Sequence, residues 1–184
     1  MVRREGRDPM NLWKHFKTIT RHRHLVRHYC FKVGLYWQGL THDLSKYSPT
    51  EFRPGVKYYQ GFRSPNVAER NDIGYSSAWL HHKGRNRHHF EYWTDYLPGV
   101  REVTPVEMPA KYLVEMCMDR IAACRVYNGV AYTDADPLNY FRKDKENRFM
   151  HPNTKQALDD LLQLLSDQGE EALFAHIKTK ILGK

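Results

Sequence analysis

The stretch "PAKYLVEMCMDRIAACRVYNG", residues 109–129, predicts the buried helix around which the rest of the chain must pack. Pro109 suits the first position of a helix, and Gly129 suits the position that ends one. Between them the apolar side chains leave hardly any side of the helix polar. Yet the helix carries Asp119, with Glu115 one turn earlier. A buried carboxylate needs an ion-pair partner or a cation to coordinate, and this helix alone leaves both alternatives open.

The segment "NLWKHFKTITRHRHLVRHYCFKVG", residues 11–34, predicts one or two further helices. At about 100° per residue, His22 lies on the same side as the apolar Val26. His24 and His28 project from the opposite, basic side. We therefore expect His22 to point into the core and the other two histidines to face solvent. A core histidine held by a hydrogen bond is the structural alternative to a metal ligand.

The stretch "GLTHDLSKYS", residues 39–48, places His42 directly before Asp43. We predict a short helix here, held against the core by Gly39-Leu40 before the pair and Leu44 after it. A long imidazole and a short carboxylate can then reach one ion lying between them. Lys46, three positions after Asp43, lies on the same side and can place a cation beside a phosphate.

Two later segments add candidate residues. Ser48 to Glu51 is typical of a capping box, with Pro49 at the first helical position. The run "WLHHKGRNRHHFEYW", residues 79–93, predicts a helix, a turn and a second short helix. We expect at least two of its four histidines to be exposed helix-end residues and the others to supply one or two metal ligands. We favour His82 and His89 as ligands. The expected substrate contacts in this run are His81, His88, Lys83, Arg85 and Arg87.

These residues carry a family resemblance. "GLTHDLSK" resembles the LxHDxxK signature of the HD-domain metal-dependent phosphohydrolases, which are all-α proteins. In that superfamily a histidine before the pair and an aspartate on a later helix complete a metal site, and "MDRIAA" is similar to that later helix. The resemblance implies four ligands, which are His22, His42, Asp43 and Asp119. The run from residue 22 to residue 127 is also similar to a bacterial family of unknown function related to HD domains.

The resemblance also implies a function. Some HD enzymes bind additional metals through an adjacent histidine pair, so one or two divalent ions are expected, as Mn, Fe, Co, Ni or Zn. We expect a metal-dependent phosphohydrolase acting on a nucleotide or another small phosphoester. Asp43 or Glu115 would take the proton of the attacking water, and Lys46 would bind phosphate. The alternatives are an HD-type di-iron oxygenase, a basic nucleic-acid-binding module and a metal-stabilised protein without catalysis.

Composition indicates the kind of partner and the cellular compartment. The formal charge is +8, with the excess mainly before residue 90, which favours an anionic partner such as a phosphorylated substrate or nucleic acid. Eight of the eleven histidines fall between residues 22 and 89. Three cysteines without metal-type spacing indicate a reduced, cytoplasmic protein. No run is long enough to span a bilayer, so we expect no membrane partner; a homo-oligomer is possible.

Alternation of period two is nearly absent, which predicts an all-α fold. We expect a single HD-domain-like helical bundle with a C-terminal helical extension. Its parts would be a disordered tail over residues 1–9, a metal-binding helical core over residues 10–130, and the extension, packed on the core, over residues 131–184.

Overall fold

The computed structural model describes residues 9–183, and the predicted all-α class is confirmed. The α-helices in the described residues are α1 (Pro9–Lys32), α2 (Tyr36–Thr41), α3 (Pro49–Lys57), α4 (Pro65–Ile73), α5 (Ser77–Lys83), α6 (Ala110–Asn128), α7 (Asp136–Arg142) and α8 (Pro152–His176). Short 3₁₀ turns cover Leu44–Tyr47, Phe90–Tyr92 and Gly129–Ala131, and a π-turn covers Ile177–Ile181.

A small β-ribbon interrupts the helices. Strand β1 (Thr94–Tyr96) pairs antiparallel with β2 (Val103–Pro105), and Thr94 lies opposite Pro105. The all-α prediction includes no strand here. Strands of three residues are too short for alternation of period two to be visible in the sequence.

Helix α6 lies at the centre of the molecule, as the stretch 109–129 predicted. Pro109 precedes its first residue, and Gly129 ends it with a φ of 57°. It packs against α1, α7 and α8. Five of its side chains are completely buried, namely Val114, Cys117, Met118, Ile121 and Ala122. The two carboxylates of α6 therefore lie on a helix that has almost no solvent-facing side.

Helix α1 is a single continuous helix that places its histidines as expected. His22 is buried beside Val26, whereas His24 and His28 are exposed. Helix α2 crosses α1 closely at Gly39, where an added Cβ would lie 3.0 Å from Cβ of Cys30. This close approach holds the segment that follows α2 against the core.

The C-terminal helices share the same core. Leu158 and Leu162 of α8 belong to the hydrophobic cluster that contains Val114 of α6. The tail expected over residues 1–9 lies outside the described residues, except that α1 begins at Pro9. Within the described part of the chain, no helix is both long enough and apolar enough to cross a membrane.

Candidate metal centre

The His42–Asp43 pair lies in a turn, which corrects the expected helix. Helix α2 ends at Thr41, and Asp43 has a φ of 53°, in the left-handed region. That region costs a non-glycine residue about 1–2 kcal/mol. Both side chains of the pair are buried, whereas Leu40 and Leu44 are half-exposed and do not hold the turn against the core.

Arg23 of α1 holds this turn instead. Its Nε donates a hydrogen bond of 2.7 Å to the carbonyl oxygen of His42, and its Nη2 donates one of 3.3 Å to that of Leu40. The backbone on either side of the pair is therefore attached to the same helix that carries His22. The reversal of the chain at Asp43 explains why the pair points inward while the flanking leucines point outward.

A first group of potential ligands joins α1, the turn and α6. It consists of His22, His42, Asp43 and Asp119, whose ligand atoms lie within 4.8 Å of one another. Nε2 of His22 lies 2.9 Å from Oδ1 of Asp119 and 3.6 Å from Oδ2 of Asp43. Nε2 of His42 lies 3.5 Å from Oδ1 of Asp119 and 3.4 Å from Oδ2 of Asp43. The four residues named from the sequence therefore converge on one point.

A second group faces the other oxygen of the same aspartate. It consists of Asp43, His82, His88 and His89, again with ligand atoms within 4.8 Å of one another. Oδ1 of Asp43 lies 3.2 Å from Nε2 of His82 and 3.4 Å from Nε2 of His88. His88, expected as a substrate contact, belongs to this group together with the two histidines predicted as ligands. Asp43 is thus common to both groups.

Two buried glutamates orient the imidazole rings. Oε1 of Glu115 lies 2.9 Å from Nδ1 of His42 and 3.2 Å from Nδ1 of His88. Oε2 of Glu51 lies 2.7 Å from Nδ1 of His82. Because an ionised carboxylate can only accept, each Nδ1 must donate. The arrangement directs Nε2 of all three rings toward Asp43, as a histidine with a carboxylate behind it does in metal sites.

This geometry leaves acceptors facing acceptors. A neutral ring that donates from Nδ1 has a lone pair on Nε2, and in His42, His82 and His88 this lone pair faces a carboxylate. Within the described residues, Oδ1 of Asp43 and Nε2 of His88 and of His89 are buried without a hydrogen-bond partner. Such contacts require a proton or a cation between the two atoms. The clusters can therefore hold metal ions, and their donor atoms fit that role.

Burial and neighbouring charges shift the pKa values of several members of the two groups. Burial opposes ionisation of Asp43, but His42 and Lys46 hold the pKa of that carboxyl well below its usual range. Burial likewise opposes protonation of His42, yet the neighbouring carboxylate of Asp43 raises the pKa of the imidazole well above its usual value. Burial and the charges of His88 and His82 hold the pKa of His89 well below its usual value. Protons on some rings thus compensate the buried carboxylates.

Lys46 lies at the edge of the first group. Its Nζ is 2.6 Å from Oδ2 of Asp43, and its side chain is 30% exposed. Burial opposes its charge, but Asp43 and then Asp119 raise the pKa of the ammonium above its ordinary value. Lys46 therefore stays charged and remains accessible to a ligand from solvent, as its predicted role requires.

The other expected substrate contacts lie elsewhere. Nδ1 of His81 lies 2.6 Å from Oε1 of Glu51, outside both groups. Arg85 is exposed, and its guanidinium donates to the carbonyl oxygen of His81. Arg87 is exposed and packs over the ring of Tyr112.

Lys83 is partly exposed, and its charge acts on the buried carboxyl of Glu91. Glu115, expected to take a proton from water, contacts the backs of two imidazole rings instead. The turn after α5 directs the cationic side chains away from the two groups.

Glu51 is the residue that the sequence prediction misassigned. The predicted capping box is wrong, because the Ser48 side chain forms no capping hydrogen bond. Pro49 does open α3 as expected, but Glu51 is buried and binds the two histidines at the end of α5. The signal available in the sequence was a glutamate in one helix followed by a histidine pair in a later helix. The resemblance of the local sequence to a capping box assigned Glu51 to the helix start instead.

A family model described as DUF5662, a family of unknown function, matches residues 11–164. The chain belongs to DUF5662. The DUF5662 match includes both ligand groups, since His22 is their first residue and Asp119 their last. No curated protein and no solved structure matches the chain.

Proposed function

We propose that the two groups bind two divalent metal ions bridged by the carboxylate of Asp43, and that the protein is a metal-dependent phosphohydrolase of the HD type. The observation that carries this proposal is that each oxygen of Asp43 faces a separate set of imidazole nitrogens. The order of the residues, a histidine, the HD pair and a later aspartate, supports the HD assignment.

The donor atoms favour transition metals. The first group offers two imidazoles and two carboxylates, and the second offers three imidazoles with the shared carboxylate. Imidazole suits Zn, Fe, Ni and Co, whereas Mg and Ca prefer sites built from oxygen alone. We expect Mn, Fe, Co, Ni or Zn, with the second group selecting more strongly for the nitrogen-preferring metals.

The chain supplies a phosphate contact beside these groups. Ions of this kind lower the pKa of a bound water and polarise a phosphoryl oxygen. Lys46 places its ammonium 2.6 Å from Asp43 and is accessible, so it can bind a phosphoryl oxygen of a small phosphoester. Asp119, with a side chain 17% exposed, is the group's more accessible carboxylate and can accept the proton of the attacking water. Glu115 acts through the histidines as a positioning residue.

A phosphatase and phosphodiesterase substrate panel on the metal-loaded protein tests the proposal. We expect turnover that is lost in Asp43→Ala and His42→Ala together with the metal. Lys46→Gln should keep the metal and lose most of the activity. His24→Gln, a change at an exposed histidine of α1, is the matched control and should behave as the wild type. Full metal content and activity in Asp43→Ala would refute the proposal.

A second candidate, an HD-type di-iron oxygenase, follows from the nitrogen-rich second group. Three imidazoles with a bridging carboxylate also suit iron that reacts with dioxygen. Iron retained by the protein, with an absorption spectrum that changes on exposure to oxygen and no phosphoester turnover, would favour this candidate over the hydrolase.

A further inference from the structure

An exposed apolar strip, which we call the apolar face, covers the outer side of α1 and α2 and does not involve the metal centre. It consists of Trp13, Phe16, Phe31, Trp37, Leu40 and Leu44. Trp37 is 72% exposed, Trp13 is 54% exposed, and the two leucines are half-exposed. Side chains of this size project into solvent at a large cost in apolar hydration unless a partner covers them.

Contacts through Tyr47 and Arg23 link the two ends of the apolar face. Trp13 and Phe31 are separated by eighteen residues, about five turns of helix, and so point to the same side of α1. The rings of Trp13 and Phe16 stack at 5.6 Å, and Phe16 contacts Tyr47 at 5.9 Å. The guanidinium of Arg23 lies over Tyr47 and also reaches the backbone of Leu40. Tyr47 and Arg23 thus connect the aromatic rings at the start of α1 with the end of α2.

Phe31 extends the strip at its far end. Its ring meets that of Tyr36 edge-on at 5.2 Å, and it also lies against Gly39. Tyr36 opens α2 and is itself exposed. Trp37 follows Tyr36 in this helix and is the most exposed side chain of the strip.

The charged side chains of α1 and α2 are all cationic. The sequence has no aspartate or glutamate between Asp8 and Asp43. The exposed cations of α1 are Lys14, Lys17, Arg21, Arg27 and Lys32. The Nζ atom of Lys17 lies 5.0 Å from the ring centroid of Trp13, at the border of the strip. A partner that covers the apolar face must therefore be apolar at its centre and anionic around it.

Three kinds of partner meet this description to different degrees. A second copy would bring two cationic faces together without acidic side chains to pair them, which opposes association. Nucleic acid would pair with the cations and stack on the aromatic rings, but it offers no apolar surface that would cover the side chains of Leu40 and Leu44. An anionic phospholipid bilayer satisfies both, because tryptophan and leucine enter the acyl boundary while lysine and arginine contact the headgroups.

We propose that the apolar face binds peripherally to the surface of an anionic phospholipid bilayer. This departs from the expectation of no membrane partner, which rested on the absence of a spanning segment. The aromatic and aliphatic side chains insert at the interface, and the cations of α1 attract the anionic headgroups. The inference is independent of the proposed phosphohydrolase activity.

Sedimentation of the full chain with vesicles tests the proposal. One vesicle type is phosphatidylcholine alone, and the other is an equimolar mixture of phosphatidylcholine and phosphatidylglycerol. We expect binding to the mixed vesicles and little binding to the neutral ones. Binding should be lost when salt is raised from about 0.1 M to about 1 M, because the screening length then shortens about threefold and the attraction between the cations and the headgroups weakens. Trp37→Ser/Leu40→Ser should weaken binding to the mixed vesicles by about tenfold or more.

Two further variants test the contribution of charge and the specificity for the strip. Lys14→Gln/Lys17→Gln/Arg21→Gln removes charge from the same face and should also weaken binding, without removing any apolar group. Tyr96→Ser/Leu97→Ser changes exposed apolar residues on and just after β1, far from the strip in sequence, and should bind as the wild type. A thermal melt of each variant checks that it folds.

Several results would overturn the proposal. These are absence of sedimentation with the mixed vesicles, equal binding by wild type and folded Trp37→Ser/Leu40→Ser, or equal loss of binding in the ribbon variant. Binding of DNA or RNA that depends on Trp37, without vesicle binding, would assign the face to nucleic acid. A dimer that dissociates in the Trp37→Ser/Leu40→Ser variant, without vesicle binding, would assign it to a second copy.

Discussion

At the scale of single residues, Asp43 combines three unfavourable features in one position. It is completely buried, it adopts a left-handed backbone conformation, and each of its oxygens faces imidazole nitrogens that a glutamate has turned toward it. Strained and desolvated residues of this kind persist where the surrounding structure and a function require them. Cations beside the carboxylate would compensate the burial of its charge.

Glu115→Gln should weaken metal binding without abolishing it. Glu115 accepts from Nδ1 of His42 and of His88, and loss of such an orienting carboxylate costs about 10–100-fold in metal affinity. The measurement is a competition titration against a chromophoric chelator. Glu171→Gln, at an exposed position of α8, is the control and should leave the affinity unchanged. Wild-type affinity in Glu115→Gln would show that the rings are held by other contacts.

His15 should make the metal-free protein sensitive to acid. Burial, with a smaller contribution from the charge of Lys46, lowers the pKa of His15 to about 4. The unfolded chain binds a proton at about pH 6.5, so between these values the unfolded state binds more protons. The free energy of unfolding should therefore fall by about 3 kcal/mol as the pH falls through that window.

Urea unfolding in chelator at several pH values measures this contribution. In His15→Leu the decrease between about pH 6.5 and about pH 4 should be shallower than in the wild type. His24→Leu, at an exposed position of the same helix, should keep the wild-type slope. Identical slopes for His15→Leu and the wild type would place the acid sensitivity elsewhere.

At the scale of elements, the contact between α1 and α3 depends on a glycine. A Cβ added at Gly55 would overlap Nε2 of His15, whose ring packs against Phe52 and Tyr59 and has little room to move. Overpacking of this kind costs about 1–3 kcal/mol. Alanine is a better helix former than glycine by about 1 kcal/mol, so the two effects oppose each other.

Gly55→Ala should therefore destabilise the protein by up to about 2 kcal/mol in chemical denaturation, because the overlap outweighs the helix propensity. Gly84→Ala is the control, since an added Cβ there would find its nearest neighbour at 3.5 Å. Combining Gly55→Ala with His15→Ala should restore part of the lost stability relative to His15→Ala alone. A stabilised Gly55→Ala protein would mean that the ring moves aside freely.

The elements also show which parts of the structure the sequence could predict. Helical periodicity assigned His22 to the core and His24 to solvent, and the composition of α6 predicted that Asp119 would be enclosed. Both assignments rest on the regular spacing of side chains along a helix. The family resemblance then joined these two residues to the HD pair.

Turns have no such periodicity. Asp43 lies in a left-handed turn and His88 lies in the turn after α5, so the direction of each side chain depends on backbone angles that spacing does not encode. The side chains of Arg85 and Arg87 in this turn point to solvent, and spacing along the chain could not predict that direction either. The role of Glu51 required knowledge that α3 packs against α5, a tertiary contact.

At the scale of the whole molecule, the centre joins segments distant in the chain. His22 comes from α1, Asp43 from the turn after α2, His82 from α5, His88 from the turn that follows it, and Asp119 from α6. A metal that binds these segments together only in the folded state stabilises the fold by mass action, by about 2.7 kcal/mol at a free concentration of 100 Kd. Removing the metal should therefore weaken the contacts among all of these segments together.

Chelation should therefore lower Tm by about 5–10 °C, since 1 kcal/mol shifts Tm by about 2–4 °C in a domain of this size. The melting temperature is measured with and without a chelator, and metal is added back to test reversal. The Asp43→Ala protein should show no such difference. A wild-type Tm that chelation and metal leave unchanged would argue against a metal that joins these segments.

Elemental analysis of the purified protein, after metal loading and exhaustive dialysis, tests the central claim most directly. The proposed centre predicts about two transition-metal ions per chain in the wild type, since His22, His42 and Asp119 would hold one ion with Asp43 and His82, His88 and His89 would hold the other. It predicts little or none in Asp43→Ala. A wild-type protein that retains no metal, or an Asp43→Ala protein that retains as much as the wild type, would contradict the account.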